Sequence, residues 1–199
     1  WTYSYTAPTT SGLYGLTAAG MSSSGSGSSS DRFAFSGYDS NSLTATPTRL
    51  FVLPANVTNV ADSCPDGYGN YSVLGANSSP VIGNATFSCD LYGATPSSVA
   101  VLWLGLNPVG FTAVDLGPVL GWTGCSLTVA SPMVVLNAST TSGVAERAEG
   151  TASFVTGIPN NPLFHGIVVN AQAVYLDPSA AGVRGESLSL SNGLTITIP

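Results

Sequence analysis

No window of ten residues in this chain carries apolar side chains at helical spacing, while period-2 alternation and short apolar runs recur along its length. That restricts the fold to β-structure. The chain opens with Trp1, Tyr3 and Tyr5 alternating with Thr2, Ser4 and Thr6, which predicts an extended strand with three aromatic rings on one side. Phe33 and Phe35 alternate in a second segment, and Leu50-Phe51-Val52-Leu53-Pro54 makes a third. From Cys64 onward strand signals follow at the spacing of a β-sandwich: 81–91, 98–106, 125–129, 133–136, 152–156, 166–176, 187–191 and 194–198. Turn residues separate them. Asn192-Gly193 between Leu190 and Leu194 predicts a tight hairpin, because a type I′ turn needs φ > 0 at both central residues. The expectation is an all-β chain. Residues 61–199 form an antiparallel sandwich, immunoglobulin-like or jelly-roll-like, and residues 1–60 supply an N-terminal strand arm and a Ser/Gly-rich segment at 21–30.

Composition narrows the partners. Only 7% of the residues are charged, against about 25% in ordinary globular chains. Hydroxyls take their place, with 28 Ser and 20 Thr. Such low charge suits disorder only when aliphatic and aromatic residues are scarce as well, and here 44% of the chain is hydrophobic, so it folds. There is no lysine. Arg32, Arg49, Arg147 and Arg184 are scattered, and the net charge is −6. Nucleic acid and anionic membrane surfaces both require clustered basic residues, so neither is an expected partner. No apolar run approaches the roughly 20 residues that span a bilayer. Trp1 reads as a mature N-terminus left by a signal peptidase, which places the protein outside the cell or on its surface.

Three cysteines, Cys64, Cys89 and Cys125, suggest one bridge and one free thiol. No CxxC pair exists and His165 is the only histidine, so the spacing fits no zinc site. Alternation in Ala85, Phe87, Cys89 and Leu91 turns Cys89 toward a core. That favours Cys64–Cys125, with Cys64–Cys89 as the alternative.

Several short motifs come in a recognisable order: Cys64-Pro65, Gly83-Asn84 before Thr86-Phe87, Leu104-Gly105, and Gly124-Cys125 before a strand. Ile158-Pro159-Asn160, Leu163 with Gly166 and Gln172, and Ser191-Asn192-Gly193-Leu194 complete the set. In these positions residues 61–199 resemble a domain that recurs at the C-termini of secreted and surface proteins of planctomycete-like and myxobacterium-like bacteria. The resemblance implies a compact β-sandwich with no assigned catalytic activity. It also implies a bridge between the first cysteine and the Gly-Cys cysteine, here Cys64 and Cys125. Cys89 departs from the family pattern, and residues 1–60 carry no such likeness.

Catalytic chemistry finds little to work with. His165 precedes an apolar strand, where a turn or edge histidine is expected, and no Gly-x-Ser-x-Gly elbow accompanies it. The carboxylates are too scattered for a glycosidase pair. Asp62, Asp66 and Asn70 offer oxygen ligands in a Gly-containing loop and form a weak calcium candidate, with an ordinary Asx-turn loop as the plainer reading. N-glycan acceptor sequences occur at Asn56, Asn70, Asn77, Asn84 and Asn137, and Ser22, Ser23 and Ser24 open a run suited to O-linked sugars. Trp103 reads as core and Trp122 as exposed. The expectation is a protein that binds or assembles, needs no cofactor, and takes copies of itself or glycans as partners. Trp1, Tyr3 and Tyr5 are its assembly strand, and a carbohydrate-binding module is the runner-up.

Overall fold

A computed structural model describes residues 6, 8–16, 18–22, 32–36, 48–108, 111–145, 148–180 and 187–199. Through them run β1 (Gly12–Leu16), β2 (Ala18–Ser22), β3 (Arg32–Ser36), β4 (Thr48–Val52), β5 (Val57–Ala61), β6 (Val73–Ala76) and β7 (Ser88–Ala94). They continue with β8 (Val99–Gly105), β9 (Val114–Asp115), β10 (Ser126–Leu127), β11 (Pro132–Ser139), β12 (Gly150–Val155), β13 (Val168–Leu176) and β14 (Leu188–Thr197). The fold is an all-β sandwich. A five-stranded antiparallel sheet, ordered β11-β8-β13-β14-β5, packs on a three-stranded one, ordered β12-β7-β6. Strand β5 spans the 60/61 boundary and pairs with β14.

Alternation explains the core. Ala100, Leu102, Ala171, Ala173, Tyr175, Leu194 and Ile196 face inward from the large sheet, and Leu74, Ala76, Cys89, Leu91, Ala152 and Phe154 from the small one. Trp103 corrects the expectation. Its neighbour Leu102 takes the core position, so Trp103 lies on the other face of β8 and is only half-buried. The segment from 81 to 87 is also not strand: Gly83 takes φ +82°, and the Asn84 side chain accepts the Thr86 N–H in an Asx turn.

The predicted Asn192-Gly193 hairpin is absent, and β14 runs straight through both residues. Gln172 pairs with Gly193 and Val174 with Leu190, so β14 carries a bulge between them. The bulge reverses which face each side chain takes. Leu190 joins a cluster with Cys64, Leu116 and Cys125 on the outside of the large sheet, while Leu194 and Ile196 turn into the core. Gly193 is there for close approach and not for a positive φ, since a Cβ would lie 2.4 Å from the Thr128 side chain. A second close approach occurs at Gly75, whose missing Cβ is replaced by the Phe51 ring. Leu74 and Ala76 point into the core, so Phe51 and the β1–β4 ribbon that carries it lie on the outer face of the small sheet. Phe51 also meets Tyr92 there, with ring centroids 5.7 Å apart.

Candidate assembly surface

The two ends of the sandwich differ in chemistry. One end holds the last residues of β13 and the first of β14. Here Ser72, Tyr175, Asp177 and Ser189 are all buried. Asp177 accepts the Ser179 hydroxyl and the Thr95 hydroxyl, and the Ser98 hydroxyl donates to the Leu176 carbonyl. The hydroxyls of Ser72 and Ser189 flank that of Tyr175, without hydrogen-bonding geometry among the described residues. Burial pushes Tyr175 up to about 12, against the pull of those two hydroxyls.

The calcium candidate belongs to this end and resolves into an Asx turn. Asp66 Oδ1 accepts the Tyr68 and Asn70 N–H groups at 2.8 and 2.7 Å, and Oδ2 accepts the Asn70 amide at 3.0 Å. Donors therefore occupy both oxygens. Burial pushes the Asp66 carboxyl upward, these hydrogen bonds oppose it, and Asp177 adds to the rise. Among the described residues no three metal-ligating side chains gather, and Asp62 stands exposed on the loop. Nearby, Cys64 and Cys125 form the disulfide. Cys89 is a free buried thiol, pushed up to about 12 by desolvation and, secondarily, by Asp90.

Two amides, named in the sequence only as motif or turn positions, tie separate elements together. Asn192 accepts the Leu74 N–H at 2.6 Å and donates to the Leu74 carbonyl at 3.1 Å, joining β14 to the outer edge of β6. Gln172 accepts the Thr128 N–H and donates to the Ser126 and Ser191 carbonyls, holding the crossing segment on the large sheet. The signal was a polar residue between Ala171 and Ala173 in a strand that is mainly apolar apart from Asn170. Trp122, expected to be exposed, is half-buried against the disulfide cluster.

The opposite end is apolar and open. A groove of about 400 Å3 runs between the layers, floored by Phe87, Leu104, Leu136, Phe164 and Ile198. Met133 and Val134 of β11 and Val155 of β12 form its lips, 68%, 47% and 65% exposed. Among the described residues no charged one lines it. Strand β11 is also an outer strand of its sheet, pairing with β8 alone among the described residues, and its eight residues include no charge. Natural edges are normally blunted by charge, proline or cover. Among the described residues only Pro132, at the start of β11, does so.

Trp1, Tyr3 and Tyr5, the predicted assembly strand, lie outside the described residues, as do Ser23 and Ser24. Ser22 ends β2. His165 is exposed after a 3-10 turn at Pro162–Phe164. The acceptor asparagines divide. Asn56, Asn77 and Asn137 are exposed; Asn77 and Asn84 donate amide N–H groups to the Thr86 and Ser79 carbonyls, and Asn70 donates its own to Asp66. Asn137 lies on β11 itself. A second cleft, of about 520 Å3, lies beside β4 and β6 and is lined by Phe51, Asn59, Asp62, Tyr71 and Asn192.

Among the described residues no helix is long and apolar enough to cross a membrane. No family model, curated protein or solved structure matches the chain.

Proposed function

We propose that this chain is an extracellular structural protein, a self-assembling subunit of a filament, sheath or surface layer, and that it works without catalysis. The observation that carries this reading is the uncharged β11 edge beside an open apolar groove. An edge of that kind is a template for another chain. The intrachain disulfide suits an oxidising compartment, which supports secretion. The donor is the 1–6 segment with Trp1, Tyr3 and Tyr5, adding its strand to a neighbouring subunit. Burial of three aromatic side chains at about 150–250 Å2 each contributes on the order of 10 kcal/mol at ~25 cal/mol per Å2. Repeated head to tail, such a contact does not close, and a fibre results. Deleting residues 1–7 tests the reading: the truncated protein stays folded and sediments as a monomer. Continued polymerisation, or unfolding, would refute strand donation.

A non-catalytic carbohydrate-binding module is the second reading, favoured by the 520 Å3 cleft. Its exposed Tyr71, with Asp62 and Asn59 alongside, combines a ring with polar groups in the way sugar sites do. Retention on insoluble polysaccharides, lost on Tyr71→Ala, would favour it over assembly.

A further inference from the structure

The geometry points to a specific acceptor: we propose that β11, with the apolar groove behind it, receives residues 1–6 of a second copy of this chain as an added strand. The inference rests on the self-assembly reading above and names the surface that reading requires. On β11, Val134 and Leu136 face the groove. Side chains at alternate positions of an added strand fall at about 6.7 Å intervals along the same face. Trp1, Tyr3 and Tyr5 have that alternation, so the added strand lays its aromatic face over the groove and across the Val155 lip. The volume, about 400 Å3, lies at the lower end of ligand-pocket size and suits inserted rings. Charge agrees as well. Residues 1–30 contain no charged side chain, and neither β11 nor the groove presents one to repel or attract.

Reach selects a second copy over the chain's own segment. Strand β1 belongs to the ribbon on the outer face of the small sheet, and the Tyr14 hydroxyl holds the Thr10 carbonyl at 3.0 Å. From that ribbon to the plane of β11 there are two packed layers, about 20 Å in all. Fully extended, the chain from Thr10 back to Tyr5 covers about 17 Å. Tyr5 therefore falls short of its own β11, so the three rings cannot lie on it together, whereas a neighbour's β11 imposes no such limit. The groove's lining, poor in polar groups, excludes a sugar as occupant.

Three proteins test this by analytical ultracentrifugation and negative-stain microscopy: the unmodified chain, Val134→Lys, and a donor variant with Trp1→Ser, Tyr3→Ser and Tyr5→Ser. The unmodified chain is expected to polymerise. Each variant alone is expected to keep its far-UV circular dichroism and stay monomeric, with self-association weakened about 30-fold or more, as for loss of an interface hot spot. Mixed in equal amounts, they are expected to form a 1:1 heterodimer, since one retains the acceptor and the other the donor. If Val134→Lys unfolds, Val155→Lys on the opposite lip, 65% exposed, replaces it. Polymerisation of the folded lysine variant overturns the β11 acceptor while leaving self-assembly standing. Absence of a heterodimer from two folded monomeric variants overturns it equally. An unmodified chain that remains monomeric at all concentrations refutes both the acceptor and the self-assembly reading.

Discussion

The two ends of this sandwich are built from the same four central strands and finished in opposite ways. Where β13 ends and β14 begins, the buried Asp177 and Asp66 carboxylates accept hydrogen bonds from loop residues, and a disulfide clamps the crossing segment beside them. Where β14 ends and β13 begins, the layers part over an uncharged groove with apolar lips. Covered polar groups with directed partners specify a single closed geometry. Apolar surface left open at the rim specifies nothing within the chain and is the usual mark of an interaction site. One end is closed by directed polar contacts and a disulfide, and the other leaves apolar surface open, which the proposed self-assembly would use. Perturbing the first should change unfolding, and perturbing the second should change only assembly.

The largest effect is expected at the disulfide. The bridge joins cysteines 61 residues apart, and the loop-entropy account gives about 4 kcal/mol against the unfolded chain. Cys64→Ser/Cys125→Ser is therefore expected to lower the unfolding free energy by that order in urea titration. A loss below about 1 kcal/mol would show that the closed end does not depend on its clamp. Next comes Asn192→Ala, which strips both the N–H and the carbonyl of Leu74 of their partner in a buried site. Two unsatisfied backbone groups cost about 3 kcal/mol together, again readable as a shift in the urea midpoint. A neutral result would mean that water replaces the amide at that edge.

The same residue shows why some of the fold was legible in the sequence and some was not. Alternation and turn spacing identified an all-β sandwich, and the core-facing Cys89 pointed to the Cys64–Cys125 pair, because burial on one face leaves a period of two. Asn192-Gly193 has the local signature of a hairpin, yet tertiary contacts decide its conformation: Thr128 crosses where the Cβ of residue 193 would stand, and Leu74 claims the amide. Those partners lie 65 and 118 residues away, beyond any local pattern. Trp103 failed for a related reason. A continuous apolar run does not say which of its faces is inside, and the adjacent Leu102 took that side. The open groove was hidden as well, since it is assembled from the ends of β8, β11, β12, β13 and β14. What could be read was the uncharged character of 133–136, which leaves β11 without the usual edge protection.

Alkaline pH gives an effect confined to high pH and separates core from rim. Burial raises Cys89 from an ordinary 9.0, and Tyr175 from 10.0, each to about 12. Both groups are held neutral by the fold, so their stabilising contribution is complete below the unfolded-state values and is lost as pH rises through about 12. Urea midpoints should stay level through neutral pH and fall between pH 9 and 12, with Tyr175→Phe and Cys89→Ala each flattening part of the fall. Native Cys89 should also resist alkylation at pH 8 and react only on unfolding, since its thiolate is scarce and its sulfur is buried.

The smallest effect on stability is expected at the open end, and its smallness is the point. Val155 is 65% exposed and Leu163 82% exposed, so little apolar area is removed from water when either stays in place. Exposed positions away from caps, buried pairs and strained backbone shift stability by no more than about 0.5 kcal/mol. Val155→Ser with Leu163→Ser should therefore leave the urea midpoint unchanged. The groove behind Val155 is preformed, so the native protein at low concentration should bind an apolar dye such as ANS without any unfolding. Serine at the Val155 lip should reduce that fluorescence and raise the concentration needed for assembly. Substitution at the closed end gives the reverse pattern, as with Ser189→Ala, whose hydroxyl is fully buried beside Tyr175. It alters unfolding and leaves dye binding and assembly alone. If the lip variant instead lost several kcal/mol of stability, Val155 and Leu163 would be parts of the core, and the division between a closed end and an associating end would collapse.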